Sequence, residues 1–408
     1  MSRLVFLCLS LSLLACAGTG SSDTGFDSLA DSGRDSSTDS TPLPDSEDSG
    51  TGSTDSPKES QEDTEEPPPP VHFWELTDPC PNAGYPYAML FESSQEGWVG
   101  CGDGKGLWRT ENAGESFAEG HPNTWTGELY VTDLALDPEG SLLVCGRDYG
   151  NDSLLSRYRN GTWEDLLHYG NNNQDSSAAQ LSNCGVVAAA GDGSLIVASL
   201  TAGDISTSSN DGLTWTKEAR YWEDANLDAG GYSYYYLLNL VAAGGSYFGA
   251  GSDITSPPVF FGPSQHAGGS WSNFHAHTID SRAEGEIWAL ATPDDGQTWL
   301  AGGRDQRYSS VASGFLYRSE DGGESWSKLA MGGDLDVVQD LAFAADGRHG
   351  IAVGHRYPTS HGGFILLTED GGQSWTERVE DVPPLYVASI VGTDFWVAGE
   401  NYLARGEF

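Results

Sequence analysis

The chain has 408 residues, with 60 acidic against 19 basic side chains and a formal charge of −41. A surface that negative excludes nucleic acid and anionic lipid headgroups as electrostatic partners, because phosphate recognition needs basic side chains. With 53 glycines and 13 tryptophans, and no sustained 3.6-residue periodicity, the composition also excludes an all-α fold.

Residues 1–15 carry one charge, Arg3, and an apolar run from 4 to 14. The run is too short to span a bilayer and has the length of a signal-peptide core. It ends in Leu13-Leu14-Ala15-Cys16. This tetrapeptide resembles the lipobox of bacterial lipoproteins, with Leu14 departing from the small residue usual there. The resemblance implies cleavage before Cys16 and acylation of Cys16. Several acyl chains would make the membrane anchor stable. Ala17 and Gly18 stand where an inner-membrane retention Asp would stand, which points to the outer membrane or cell surface.

Residues 16–70 read as a tether. From 17 to 70, 46 residues are Ser, Thr, Asp, Glu, Gly or Pro, and 14 acids face only Arg34 and Lys58. Such a segment cannot bury enough apolar surface to offset the entropy of ordering, so it is expected to be disordered. Repulsion between like charges extends it, and the prolines at 67–70 stiffen its end.

Residues 71–408 are organised by repeats. An octapeptide recurs with a hydroxyl at position one, Asp or Asn at three, Gly at five, Ser or Thr at seven and an aromatic at eight. It occupies 110–117 (Asn112, Gly114, Phe117), 208–215 (Asn210, Gly212, Trp215), 319–326 (Asp321, Gly323, Trp326) and 368–375 (Asp370, Gly372, Trp375). Degenerate copies end at Trp163 and Trp271. The position-three side chain can accept N–H bonds inside a tight turn, the glycine supplies positive φ, and the aromatic opens the next strand. The octapeptide is similar to the Asp-box, the bacterial neuraminidase repeat of sialidase-like propellers.

The six anchor aromatics are 46, 52, 56, 55 and 49 residues apart, the size of a four-stranded propeller blade. The clearest blade places strands at 338–343, 350–354, 363–368 and 374–379, with a turn at Asp346-Gly347. The chain ends with three strands of a further blade, at 385–391, 395–399 and 402–406. The segment 71–76 matches the outer strands and supplies the fourth. The expected fold is all-β: a seven-bladed propeller of four-stranded blades, closed by pairing 71–76 with 402–408, which removes the exposed sheet edges.

Cys80, Cys101, Cys145 and Cys184 then fall toward one face, where the connections after the second and outer strands gather. Three disulfide pairings are possible, and 80–101 with 145–184 closes the shortest loops. Over the channel on this face, the second strands end in Asp103, Arg147-Asp148, Asp204, Asp253, Arg304-Asp305, His355-Arg356 and Glu400. Arg147, Arg304 and Arg356 occupy equivalent places in three blades. The sialidase resemblance makes this trio a candidate carboxylate clamp, because a guanidinium fork suits that group. Pairing of Arg147 and Arg304 with the rim residues Asp148 and Asp305 is the structural alternative. The chain also lacks the Phe-Arg-Ile-Pro-type motif of sialidases and has one blade too many.

His275-Ala276-His277 reads as a surface pair on a strand, and Asp294-Asp295-Gly296 as turn chemistry. Neither assigns a metal, and no cofactor is expected. No nucleophile or acid–base pair stands out among the carboxylates. The chain therefore reads as a monomeric, lipid-anchored binding or scaffold module, with a protein or glycan partner at the channel face. Seven-bladed photosystem II assembly factors are similar in repeat and blade count. The alternative is a glycoside hydrolase of sialidase-like or xyloglucanase-like type.

Overall fold

Short runs of branched aliphatic and aromatic residues between glycine and aspartate turns form antiparallel strands, and no helix occurs among the described residues. The computed structural model describes residues 73–408, apart from 81–83, 103, 122–128, 148–152, 169–183, 199–204, 219–235, 253–256, 268–269, 272–274, 282–284, 306–312, 332–334, 357–361 and 380–381. The proposed signal, Cys16 and the tether lie outside the described residues.

Seven four-stranded sheets follow in order, each running from an inner to an outer strand. Blade 1 comprises Pro86–Phe91, Gly97–Cys101, Gly106–Thr110 and Ala118–Glu119. Blade 2 comprises Tyr130–Leu136, Leu142–Arg147, Ser153–Arg159 and Thr162–His168. Blade 3 comprises Val186–Ala189, Leu195–Ala198, Ile205–Ser208 and Thr216–Glu218. Blade 4 comprises Tyr236–Ala243, Ser246–Ser252, Val259–Ser264 and His275–Thr278. Blade 5 comprises Gly285–Ala291, Trp299–Asp305, Ser313–Ser319 and Ser327–Lys328. Blade 6 comprises Val337–Phe343, Gly350–His355, Gly363–Thr368 and Thr376–Val379. Blade 7 comprises Leu385–Val391, Asp394–Gly399, Tyr402–Glu407 and, from the other end of the domain, Phe73–Leu76.

The closing strand pairs Phe73 with Gly406 and Leu76 with Leu403, as the sequence pattern required. The seam between blades 7 and 1 is also packed. Trp396 is fully buried, stacks on Phe91 at 3.8 Å between ring centroids, and donates its indole N–H to the Ala113 carbonyl at 2.9 Å. The core consists of seven apolar clusters, each between two successive blades and including the 7–1 seam. Burial on both faces explains why second strands such as Leu142–Arg147 and Gly350–His355 are nearly continuous apolar runs.

The four octapeptides share one hydrogen-bond pattern. The position-one hydroxyl accepts the N–H of the position-five glycine at 2.9–3.0 Å. The position-three oxygen accepts the position-seven N–H, also at 2.9–3.0 Å. The glycine has φ of +97° at Gly323, where an added Cβ would lie 2.0 Å from the Phe260 ring of the preceding blade. The turn therefore needs glycine for its conformation and for the close approach of blade to blade.

The two degenerate copies differ. Asn160 and Gly161, both at positive φ, join the third and outer strands of blade 2 through a two-residue hairpin before Trp163. Trp271 does not open an outer strand. It pairs with His266 in a small hairpin inserted ahead of His275–Thr278. The turn at Asp294-Asp295-Gly296 belongs to a further full copy: in Thr292-Pro293-Asp294-Asp295-Gly296-Gln297-Thr298-Trp299, Thr292 accepts from Gly296 at 2.8 Å and Asp294 from Thr298 at 2.6 Å. It joins the inner and second strands of blade 5, a place where no other blade carries one among the described residues.

Candidate binding face

The inner strands begin and the second strands end at the same rim, as the registers Tyr130↔Arg147, Glu286↔Arg304 and Val337↔His355 show. Both disulfides, Cys80–Cys101 and Cys145–Cys184, lie toward this rim. The first ties the lead-in of blade 1 to its second strand, and the second ties blade 2 to the lead-in of blade 3. The favoured pairing is the one present.

The structure brings Arg147, Arg304, His355, Arg356 and Glu400 to this rim but gives the arginines different surroundings. Arg356 pairs with Glu377 on the outer strand of its own blade, donates to the Gly363 carbonyl and lies 5.9 Å over Phe364. Arg147 lies 5.0 Å over the Tyr130 ring. Arg304 has no hydrogen bond or ion pair from its guanidinium among the described residues, and its buried Nε has no partner. Asp103, Asp148, Asp204 and Asp253 lie outside the described residues. Asp305 is buried, and Glu400 sits exposed in the turn after the second strand of blade 7.

Arg304 faces a pair from the next blade. The Asp336 N–H donates to the His355 carbonyl at 3.2 Å, and His355 Nε2 lies 3.9 Å from Asp336 Oδ2. The Asp336 side chain is 3% exposed and that of His355 12%. Burial, reinforced by the positive charge of Arg304, lowers the His355 pKa to about 4, so the ring is neutral near pH 7. Burial raises the Asp336 pKa, and Arg304 opposes that rise. Asp336 Oδ1 and His355 Nδ1 are buried without partners. Asp336 was missed in the sequence. Its one signal was an acid between two apolar residues, Leu335 and Val337, at the entrance to an inner strand.

Aromatic side chains continue the rim across blade 7 to blade 1. The Tyr386 ring is 6.3 Å from His355 and 5.7 Å from Tyr85. Burial, then the nearby Tyr85, Glu400 and Tyr87, raise the Tyr386 phenol above its usual range. Tyr87 is the most open of these, at 36% exposure. Guanidinium, imidazole, carboxyl and phenol groups thus converge beside aromatic surface, a combination suited to holding a polar group next to an apolar one.

Deeper in the channel, Asp133 and Asp340 each follow a bulge in an inner strand. Each accepts one N–H from its own strand and one from the next blade. Both remain in partial contact with channel solvent, but protein surrounds them, and desolvation pushes each pKa to about 7. Their lone pairs are engaged in bracing the inner ring. Among the described residues, no three His, Cys, Asp or Glu side chains are arranged to hold a metal ion.

No family model matches the sequence, and no curated protein matches it either. Solved structures do match. The chain is similar to YCF48 bound to a D1 peptide, with a TM-score of 0.56 at 15% identity over 83% of this chain and 96% of that one. It is similar to a catalytically inactive virginiamycin B lyase from Staphylococcus aureus with quinupristin, with a TM-score of 0.54 at 11% identity over 83% and 99%. It is also similar to the GH74 xyloglucanase from Xanthomonas campestris, with a TM-score of 0.54 at 16% identity over 82% and 53%. These are β-propeller proteins, one with a bound peptide and two of them enzymes. At such identities the likeness is one of fold.

Proposed function

We propose that this chain is an exported, lipid-anchored binding module that presents a seven-bladed propeller on a long acidic tether. In this reading a protein partner docks on the rim formed by blades 5, 6, 7 and 1. The observation that carries it is Arg304, whose buried Nε has no hydrogen-bond partner and whose charge acts on Asp336 and His355, in a domain of net charge −30. An unpaired guanidinium at a rim recovers its lost interactions when a ligand supplies acceptors. The peptide bound to a protein of similar fold supports a peptide-like partner. The anchor rests on Leu13-Leu14-Ala15-Cys16.

Peptide and glycan arrays probed with the mature chain and its Arg304→Gln variant test the reading. Specific binding that the substitution weakens on the order of tenfold supports it, and that factor matches the loss of one charge-assisted bond. Binding unaffected by Arg304→Gln and Tyr386→Ala moves the site elsewhere. Glycan turnover dependent on rim carboxylates would favour the hydrolase reading, toward which the xyloglucanase likeness points. For the anchor, Cys16→Ser is expected to release the protein from membranes. An unmodified Cys16 by mass spectrometry in the membrane-bound protein would end that part.

A further inference from the structure

We propose that Arg304, His355 and Asp336 form an acid-activated oxyanion site, which repels anions at neutral pH and takes one up, together with protons from solvent, as pH falls. The inference rests on the reading of this rim as a binding face. Two neighbouring blades each contribute buried atoms without partners, Arg304 Nε from one and His355 Nδ1 and Asp336 Oδ1 from the other, and Arg304 lies opposite Gly314, whose N–H donates to the Leu335 carbonyl next to Asp336. Native proteins rarely leave such atoms unsatisfied. While Asp336 is ionised they are mismatched as joint partners for one ligand. Arg304 Nε can only donate, an ionised Asp336 can only accept, and the neutral imidazole has one donor and one acceptor. Once His355 and Asp336 are protonated, all three can donate, and an oxyanion is the ligand that accepts from all of them.

The surrounding charges set the sign of the pH response. From blade 5, Arg304 faces the pair, with Glu286 opposite it in the ladder and Asp305 next in the chain, both buried. On blade 6, Asp336 stands just before the inner strand that pairs with His355, Asp340 lies within it, and the neighbouring Arg356 is committed to Glu377. Blade 7 contributes Tyr386 and, in the turn beyond, Glu400, and blade 1 contributes Tyr85 and Tyr87. Near pH 7 the carboxylates outnumber the two arginines, so an incoming anion is repelled. Protonation removes the Asp336 charge and makes His355 a second cation beside Arg304. A bound anion would in turn screen Arg304 from His355 and lift the main charge that holds the ring neutral. Anion and proton therefore favour each other, and the coupling is reciprocal.

Methanesulfonate, whose charge is constant across this range, is the probe. It is titrated into the mature full chain between about pH 7.5 and about pH 5, with affinity rising up to tenfold per pH unit for each proton taken up. Binding that tightens at least tenfold across that range, with proton uptake seen in buffers of different ionisation enthalpy, is the expected result. His355→Gln should flatten the pH slope, and Arg304→Gln should abolish the binding. The His355 imidazole, followed by NMR in the unaltered protein, should titrate at higher pH with methanesulfonate than without it. That readout stands even if a variant misfolds. No binding at acid pH, a slope equal in wild type and His355→Gln, or an unmoved His355 titration overturns the proposal. The array experiment at neutral pH reads partner docking and this titration reads anion and proton uptake, so failure of one is distinguishable from failure of the other.

Discussion

Asp340 on blade 6 accepts the backbone N–H of Ala388 on blade 7 at 2.8 Å through one carboxylate oxygen, while the other accepts Leu341 in its own strand at 2.8 Å. Asp133 repeats the arrangement between blades 2 and 3, accepting from Val187 at 2.8 Å and Leu134 at 2.9 Å. The Asn239 amide of blade 4 reaches toward the Ile287 carbonyl of blade 5 at 3.5 Å. Polar side chains after inner-strand bulges thus link blades 2, 4 and 6 to their successors.

These two carboxyls make stability depend on pH in a definite direction. Their folded pKa values, about 7, stand above the ordinary 3.8. The stability they contribute is therefore fully present below about pH 4 and is lost as pH rises through 7. Asn resembles the protonated acid, so Asp340→Asn should flatten the decline between pH 4 and 7 by roughly 1–2 kcal/mol, channel water relieving part of the desolvation. Urea denaturation of both proteins at several pH values measures this. Asp321 and Asp346, lowered to about 2 by hydrogen bonds to their ionised forms, act oppositely. Their contribution is present above about 3.8 and lost as pH falls toward 2, so the domain should be most stable on the acid side of neutrality.

The octapeptide glycine is expected to resist substitution where it touches the preceding blade. Gly323→Ala places a Cβ 2.0 Å from Phe260 at φ +97° and should cost about 2–4 kcal/mol from backbone strain and overpacking. Gly140→Ala, at φ +80° with nothing within 4 Å, should cost only ~1 kcal/mol. Similar denaturation midpoints for the two variants would show that blade contact is not what the turn needs.

Closure at the 7–1 seam predicts a graded pair. Trp396→Ala removes a buried ring and should destabilise by about 3–5 kcal/mol. Trp396→Phe keeps much of the stack on Phe91 and loses chiefly the bond to Ala113, about 1 kcal/mol. Thermal unfolding should rank them in that order, and deletion of 73–76 should lower stability well beyond fraying of a terminus.

Each disulfide restrains a loop of the unfolded chain. The sequence separations are 39 for Cys145–Cys184 and 21 for Cys80–Cys101, so removing either should cost about 3–4 kcal/mol in the chain-entropy account, slightly more for the longer loop. Paired Cys→Ala variants measured in urea provide the check. A negligible loss in both would mean that the unfolded chain is already constrained there.

Blade number, strand positions and closure could all be read from the chain, because each follows from local chemistry. Alternating or continuous apolar runs specify strands, and the octapeptide specifies its turn through bonds within eight residues. The strand Gly363–Thr368 falls where its pattern placed it. Local pattern does not decide between two local solutions that compete. Gly268-Gly269 favours a hairpin as readily as an octapeptide, and Trp271 went with the hairpin. The turn at 292–299 obeys the full pattern but sits after an inner strand, a position that spacing between anchor aromatics could not reveal.

The rim is a different kind of object. Arg147, Arg304 and Arg356 are equivalent in sequence position, yet Arg356 is held by Glu377, Arg147 stacks on Tyr130, and Arg304 stands beside Asp336 and His355. Which of these outcomes an arginine meets depends on side chains from neighbouring strands and blades, far away along the chain. Burial and charge act through space, and the depressed pKa of His355 and the raised pKa of Asp336 exist only when blades 5 and 6 are docked.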